Sequence, residues 1–320
     1  MMLKAVNNAL SRVHAIVATV VLGAAFIAAP VSAQTYLKGQ HIEPAYEGWE
    51  QNPDGSYSFI FGYHNENWEE ELDIPVGENN FFSPGAEDRG QPTHFQPRRN
   101  RFTFKVQVPE DWGDQELTWT ITSPNGETRT AYATLDKDYV VDHVVIASET
   151  GSLGAGTSTP ESRANTPPQV SIIGDTVRSV RVGEPLELRV QVTDDGLPKP
   201  GRVASLNRDA SPSAQREIQR FLRAPSRVTV GKVNGLFLSW SVYRGEGETE
   251  FMPQQVKSWE DTRASANSPW GAYFKPPAVP EDGVYESSVT FKEPGRYVLW
   301  ARADDGGLFA DQYLEVNVTP

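Results

Sequence analysis

The most informative absence in this chain of 320 residues is cysteine, which does not occur at all. Without a thiolate, the protein can have no cysteine nucleophile, no haem attachment site, no cysteine-ligated zinc and no type-1 copper centre. Disulfide bonds are excluded as well, although export would permit them. The fold must therefore be stabilised by the burial of side chains, with bound metal ions as a further means open to it.

A stripe of basic residues is also absent. The chain has 42 Asp and Glu against 29 Lys and Arg, which gives a formal net charge of −13. Because an acidic surface repels phosphate groups, the composition argues against a nucleic-acid partner and against anionic membrane surfaces. The simplest explanation of this net charge is that it keeps the protein soluble in a crowded exported compartment.

The common catalytic motifs are missing too. There is no G-x-S-x-G turn, no phosphate-binding glycine loop followed by lysine, and no H-x-H or H-E-x-x-H metal motif. The remaining enzymatic hypothesis uses His64 and His94, which flank one long loop and would meet if its ends close. With acidic residues of that loop they would form a divalent-metal site. The alternative is that both are ordinary histidines at strand ends. The acids available to such a site are Glu69, Glu70, Glu71 and Asp88.

Only one apolar run is long, residues 15–29, and it is shorter than the roughly 20 residues that span a bilayer. Lys4 and Arg12 precede this run, and the small residues at positions 31–33 follow it. This pattern predicts a secretory signal peptide over residues 1–33, cleaved after Ala33. Removal of its two positive charges changes the net charge from −13 to −15. We therefore expect an exported bacterial protein of the periplasm or cell surface, with no transmembrane segment after cleavage.

Alternation of apolar and polar residues runs through the rest of the chain and predicts an all-β fold. Residues 56–64 place four aromatic side chains on one face of a strand. Residues 102–108 alternate in the same way and place Phe102 and Phe104 on one face. The Pro-Asn-Gly sequence at 124–126, between two alternating arms, predicts a hairpin. Together these patterns predict a first β-sandwich over residues 34–147.

A long segment without regular periodicity interrupts these strands. Its residues 62–95 are rich in aromatic, amide and charged side chains. Because disordered segments contain few aromatic residues, we expect an ordered loop over residues 65–98, and such loops often carry binding residues. A second irregular stretch covers residues 246–280. The predicted ligand-binding residues in these stretches are Trp68, Phe81, Phe82, Arg89, Trp259, Trp270 and Tyr273. The alternative is that the aromatic rings are buried as anchors and that Arg89 pairs with a nearby acid.

The second half is separated from the first by residues 148–168, which are rich in Gly, Ser, Thr and Pro and predict a flexible linker. A second β-sandwich is predicted over residues 169–320. Within one of its insertions, residues 213–224 have apolar side chains at helical spacing and predict a short helix.

Three segments of the second half, VGEPLELRVQVTDDG, GLFLSWSVYRG and FKEPGRYVLWARADDGGL, form a recognisable set. With them the chain resembles an immunoglobulin-like, PKD-type domain of bacterial exported proteins. The resemblance implies that Trp240 packs into the core and that Tyr297 fixes a corner of the sandwich. GYHNEN and NNFFSPGAEDRGQPTHFQPRR give the first half a resemblance to exported bacterial β-modules, and it implies no known chemistry.

Two Asp-Asp-Gly turns end the second and sixth strands predicted for this domain. In an immunoglobulin-like sandwich the two loops emerge at the same end, and clustered carboxylates suit Ca²⁺. The alternative is that each aspartate bonds to the backbone of its own turn. The four candidate metal ligands are Asp194, Asp195, Asp304 and Asp305.

Composition, pattern and resemblance together favour an exported, non-catalytic binding or structural module that recognises a protein or a glycan through its loops. One alternative is a periplasmic hydrolase or metal-dependent enzyme, which requires His64 and His94 to converge with an acid in a pocket. The other is a calcium-stabilised adhesion-type module. The binding hypothesis requires exposed aromatic side chains on the loops.

Overall fold

Strands make up most of the regular structure, as the alternating sequence predicts. The computed structural model describes residues 37–150, 159–199, 235–255 and 278–320. Eight strands form in its first half: Ile42–Gln51 (β1), Tyr57–Asn65 (β2), Leu72–Asp73 (β3), Asn80–Ser83 (β4), His94–Phe95 (β5), Arg98–Val108 (β6), Leu117–Thr122 (β7) and Thr128–Ala133 (β8).

Eight more strands lie in the second half: Gln169–Ile172 (β9), Val177–Arg181 (β10), Pro185–Thr193 (β11), Phe237–Arg244 (β12), Thr249–Met252 (β13), Val284–Phe291 (β14), Gly295–Asp304 (β15) and Phe309–Thr319 (β16). The described helices are His143–Thr150 (α1) and Pro160–Ala164 (α2), with single 3₁₀ turns at Glu110–Trp112 and Lys137–Tyr139. The helix predicted over residues 213–224 lies outside the described residues.

The first sandwich consists of two three-stranded antiparallel sheets and one small pair. The sheets have the orders β1–β2–β6 and β4–β7–β8, and β3 pairs with β5. An aromatic core fills the space between them. The ring of Trp119 stacks on Phe82 at 5.8 Å and meets Phe104 edge-on at 5.0 Å. Such aromatic pairs add about 0.5–1.5 kcal/mol each beyond the burial of their area.

The second sandwich has two four-stranded sheets, in the orders β10–β16–β15–β12 and β13–β14–β11–β9. Only the β10–β16 pair is parallel among these described strands. Trp240 is 3% exposed and packs in the core between the sheets. The Tyr297 hydroxyl donates to the carbonyl of Glu293, four residues upstream, which is the corner typical of immunoglobulin-like domains. The all-β fold class, with an immunoglobulin-like second sandwich, is confirmed.

The strand β2 is buried on both faces, whereas the sequence predicts burial of its aromatic face. Its aromatic face lies in the first core, and Ile60 on the opposite face packs with α1 and with Leu308 of the second sandwich. Residues Tyr36–Pro320 accordingly form one compact unit.

The predicted alternation of β6 is wrong at Phe102. Phe61 of β2 pairs with Phe104, but Tyr63 pairs with Asn100, so Gly62 faces three residues of a bulge. Phe102 lies in that bulge with a φ of 49°, in the left-handed region. Its ring therefore leaves the face of Phe104 and packs with Ile60 and Leu308 instead.

Candidate functional site

The long irregular segment, residues 62–95, is an ordered loop held by buried amide side chains. Asn80 is fully buried, and its side-chain amide donates to the carbonyls of Ile74 and Pro92, each at 2.9 Å. The indole of Trp119 donates to Asn80 Oδ1 at 2.9 Å. Because buried backbone carbonyls must find donors, this one side chain fixes two turns of the loop against the core.

A second amide group holds the start and end of the same loop together. Asn65 donates to the carbonyls of Glu70 and Phe95, at 2.8 and 3.1 Å, and its own oxygen accepts from the backbone of Asn67. Gln91 is fully buried and donates to the carbonyl of Glu87 at 2.8 Å. The loop is therefore tied at its ends and in its middle.

The middle of this loop docks on the end of β12 in the second sandwich. The Tyr243 hydroxyl donates to the carbonyl of Gly90 at 2.5 Å, and Thr93 donates its N–H to the carbonyl of Tyr243 at 3.1 Å. Arg244 forms a bidentate ion pair with Asp88, with N–O distances of 2.7 and 3.0 Å. The hydrogen bonds from Arg244 lower the pKa of Asp88. We call these contacts, between residues 88–93 and 243–245, the joint.

A buried arginine makes a further contact between the sandwiches. Arg302 on β15 is fully buried and pairs with both oxygens of Asp311, at 2.7 and 2.8 Å. It also donates to the carbonyl of Phe102 at 3.1 Å, so the bulge of β6 presents that carbonyl to the second sandwich. The guanidinium lies over the rings of Trp300 and Phe309, at 4.4 and 3.7 Å.

A cavity of about 650 Å³ lies beside the joint, with walls from both sandwiches. Its surface is mainly apolar and aromatic, with Phe102, Leu308 and Tyr313 among the lining residues, and Lys105 and His143 add polar groups. Volumes of 300–1,000 Å³ with apolar walls and a few polar groups are typical of small-ligand sites. The cavity can therefore accept a ligand of modest size.

Among the predicted ligand-binding residues, Phe82 points into the core and away from the surface. It is 1% exposed and stacks on Trp119 in the first core. The adjacent Phe81 points to the other side of β4 and is half-buried, because successive residues of a strand face opposite ways. Trp68 is also half-buried, with the guanidinium of Arg98 4.1 Å from its ring.

The guanidinium of Arg89 forms hydrogen bonds within its own turn. It donates to the carbonyls of Pro84 and Ala86, at 2.9 and 3.3 Å, and thereby closes the tip of the loop. Binding of a ligand by Arg89, Phe81 or Trp68 stays a prediction. The remaining candidates, Trp259, Trp270 and Tyr273, lie outside the described residues.

The two histidines of the enzymatic hypothesis contact different acids. His94 lies between Asp73, at 2.8 Å, and Glu71, at 3.1 Å, whereas His64 faces Glu66 at 3.5 Å. Burial alone would lower the pKa of His94, but its hydrogen bonds to the two carboxylates outweigh burial and raise the pKa to about 9. His94 is thus suited to hold a positive charge at neutral pH rather than to act as a base.

The four aspartates of the predicted calcium site bond to their own turns and neighbours. Asp304 accepts from the N–H of Gly306 and Asp194 from that of Gly196, and Asp195 accepts from Thr166. Throughout the described part of the chain, no three His, Asp or Glu side chains are placed to hold a metal ion. Calcium binding at these turns stays a prediction.

The carboxylate of Asp305 is buried beside Asp304. It is 1% exposed and accepts from the N–H groups of Gly307 and Leu308 and from the amide of Asn165. Burial and the neighbouring charge of Asp304 raise the pKa of Asp305 to about 7. Together with Asp194, it lines a second cavity of about 470 Å³.

Sequence reasoning missed the residues that build the joint. Tyr243 and Arg244 end β12, and in the sequence only their position shortly after Trp240 and Val242 distinguishes them. Arg302 is a cation in an otherwise apolar stretch, LWARA, and that contrast is a signal for a buried, paired charge.

Comparison with known proteins gives only distant structural similarities. No protein-family model matches the chain, and no curated protein does. Among solved structures, domains 4 and 5 of the S-layer protein SbsC are 9% identical, over 88% of this chain and 98% of that one, with a TM-score of 0.24. The D00–D0 domain of intimin is 8% identical, over 86% and 99%, with a TM-score of 0.21.

Fibronectin(III)-like modules of CbhA from Clostridium thermocellum are also 8% identical, over 82% of this chain and 85% of that one, with a TM-score of 0.22. At these values the similarities carry no argument about function. Among the described residues, no helix is both long and apolar enough to span a bilayer.

Proposed function

We propose that this chain is an exported, non-catalytic binding module of a bacterium, which recognises a protein or a glycan with surfaces displayed on two β-sandwiches. We also propose the boundaries predicted from the sequence, with a signal peptide over residues 1–33 and sandwiches over 34–147 and 169–320, the second of PKD type. The observation that carries the proposal is the joint, because it turns the predicted binding loop into a rigid element between the sandwiches.

Rigidity favours binding for a physical reason. Ordering a loop or an interface side chain on binding costs free energy, so a surface that is already fixed retains more of its interaction energy. The buried amides of Asn80 and Asn65 fix the loop before any ligand arrives. The cavity beside the joint, with walls from both sandwiches, offers one place for such a ligand.

The arrangement of the histidines supports a hydrolase less well. A general base has to accept a proton near neutral pH, and the pKa of His94 is raised to about 9 by Asp73 and Glu71. His94 and its two acids fit a charged structural cluster that closes the loop at β3 and β5.

The test of the proposal is export followed by binding without turnover. The full chain is expressed in a Gram-negative host, and mass spectrometry of the periplasmic fraction should find a new terminus after Ala33. The processed protein is then screened on a glycan array and cross-linked to envelope proteins. We expect at least one retained ligand that is recovered chemically unchanged after incubation.

Two results would contradict the proposal. The first is an uncut chain that stays in the cytoplasm. The second is conversion of a retained ligand to products at a rate that His94→Gln abolishes, since that would restore the enzymatic hypothesis. The same substitution at His41, which is not among the residues that line the cavity, is the matched control.

A further inference from the structure

The outer face of the β4–β7–β8 sheet carries eight outward-pointing side chains, and none of them is charged. Charged residues make up 22% of the chain and normally concentrate on surfaces. Six of the eight are hydroxyl residues: Ser83, Thr118, Thr120, Thr122, Thr128 and Thr130. The other two are the aromatic residues Phe81 and Tyr132. We call this surface the hydroxyl face.

Four of the six hydroxyl groups of this face are held in position by bonds to one another across the strands. Thr120 and Thr130 pair at 3.0 Å, and Thr122 and Thr128 at 2.9 Å. Each hydroxyl has one donor and two acceptor sites. Since one member of each pair donates to the other, every pair keeps one donor and further acceptors for an outside partner.

The two aromatic rings lie on the two outer strands of this sheet, β4 and β8. Phe81 on β4 is in register with Thr120, whereas Tyr132 on β8 is in register with Thr118, one row further along. Strand spacings of about 4.8 Å and rows of about 6.7 Å place their Cα atoms roughly 12 Å apart. Tyr132 is 59% exposed, although large aromatic side chains are usually buried.

The chemistry of this face narrows the kind of partner. Protein hot spots are enriched in Trp, Tyr and Arg, whereas Ser and Thr are under-represented among them. An anionic polymer would be repelled by a chain of net charge −13, and this face offers no cation to hold it. Regularly spaced hydroxyl donors and acceptors between two rings instead suit a polymer of neutral sugars, whose hydroxyl groups bond to threonines and whose apolar ring faces stack on aromatic rings.

We propose that the hydroxyl face binds an extended neutral polysaccharide, which crosses β4, β7 and β8 and stacks on Phe81 and Tyr132. This inference rests on the proposed binding function and names its ligand class. It places the site on the outer side of the first sandwich, away from the core-facing residues Phe82 and Trp119.

The experiment is native affinity electrophoresis of the processed full chain in gels that contain soluble β-glucan, xylan or galactomannan, with sedimentation on cellulose and chitin. We expect retardation or sedimentation by at least one of these polymers, unchanged by salt because no charge takes part. Thr120→Arg and Tyr132→Ala should each weaken the binding at least tenfold. Thr290→Arg, on a half-buried outward position of β14, is the matched control and should bind as the unaltered protein does.

Two other outcomes would overturn the inference, each for a different reason. If none of the five polymers is bound, or if Thr120→Arg and Tyr132→Ala bind normally, the hydroxyl face is not a polysaccharide site, although the protein can still be a binding module. Capture of an envelope protein that Thr120→Arg abolishes would assign the face to a protein partner instead. If circular dichroism shows that Thr120→Arg is unfolded, the exposed Tyr132→Ala variant decides.

Discussion

Arg302 illustrates how a buried charge is accommodated between the two sandwiches. Its guanidinium has two bonds to Asp311, one to the carbonyl of Phe102, and aromatic rings on its faces. Buried ion pairs recover their desolvation cost only when such further bonds are present. Loss of one partner leaves the other charge buried and uncompensated, so the cluster is a point at which single substitutions should be severe.

His94 gives a prediction about pH. Its pKa in the folded protein is about 9, above the ordinary value of 6.5, so the protonated ring stabilises the fold. This stabilisation is complete below about pH 6.5 and is lost as the pH rises through 9. The shift corresponds to at most about 3 kcal/mol. Urea unfolding should therefore show that His94→Gln lowers the free energy of unfolding at about pH 6 but has little effect near pH 10.

The control for this prediction is His143→Gln, because His143 is exposed at the start of α1. It should leave the pH dependence of unfolding unchanged. An equal loss at both pH values for His94→Gln would mean that the ring contributes by packing and that its charge is unimportant.

At the scale of the element, the bulge of β6 depends on a glycine in the neighbouring strand. A Cβ atom at Gly62 would collide with the carbonyl of Asn100 and the carboxylate of Glu47. Gly62→Ala should therefore destabilise the protein by about 1–3 kcal/mol, as overpacking does. Thermal unfolding measures this loss. Gly295→Ala is the control, since its added methyl would meet Tyr297 at an ordinary 3.5 Å, and an equal loss in both variants would refute the steric explanation.

Asn80 provides a prediction for the loop. Its side chain makes three buried hydrogen bonds, to Ile74, Pro92 and Trp119. Asn80→Ala leaves their polar groups without partners, which should lower the free energy of unfolding by about 2–4 kcal/mol. It should also speed proteolysis within residues 84–90. The control is Asn79→Ala, at the exposed neighbouring residue, which should change neither the free energy of unfolding nor the rate of proteolysis. A stable, protease-resistant Asn80→Ala variant would show that the loop is ordered by other contacts.

The sequence predicted the longer strands of both sandwiches because alternation depends on neighbouring residues, whereas β4, β5 and β13 lie in stretches that it predicted to be irregular. It did not predict the bulge at Phe102, since Phe102 continues the same alternation and the bulge becomes apparent only in the pairing of β6 with Phe61 and Tyr63 of β2. Phe81 and Phe82 could not be distinguished either, because the strand between two irregular stretches is only four residues long. Asparagine is common on loop surfaces, so the sequence does not indicate that Asn80 is buried. Its burial depends on the carbonyls of Ile74 and Pro92, to which its side chain donates.

At the scale of the whole molecule, Tyr243 tests whether the two sandwiches unfold together. It is 5% exposed, contacts the rings of Trp300 and Tyr313, and bonds to Gly90 of the loop. Tyr243→Ala should cost about 3–5 kcal/mol. Because Tyr243 belongs to β12 but is buried in the core cluster of the first sandwich and bonds to its loop, calorimetry should show two separate transitions in place of one.

Phe291→Ala is the matched control for this variant. Phe291 is fully buried in the core of the second sandwich alone, so its removal should lower the transition temperature without dividing the transition. A single transition in Tyr243→Ala, displaced as far as that of Phe291→Ala, would mean that the joint adds no cooperativity between the sandwiches.

Because of the joint, the two halves should not need the peptide that connects them in order to stay associated. Since Tyr243, Arg244 and Arg302 already bind the first sandwich through its loop and its bulge, a chain cut between residues 150 and 159 should remain in one piece on a sizing column. For the same reason, we expect the two halves to reassemble when they are made as separate polypeptides and mixed. Such complementation would make the protein a split reporter, with Tyr243→Ala as the version that fails to rejoin.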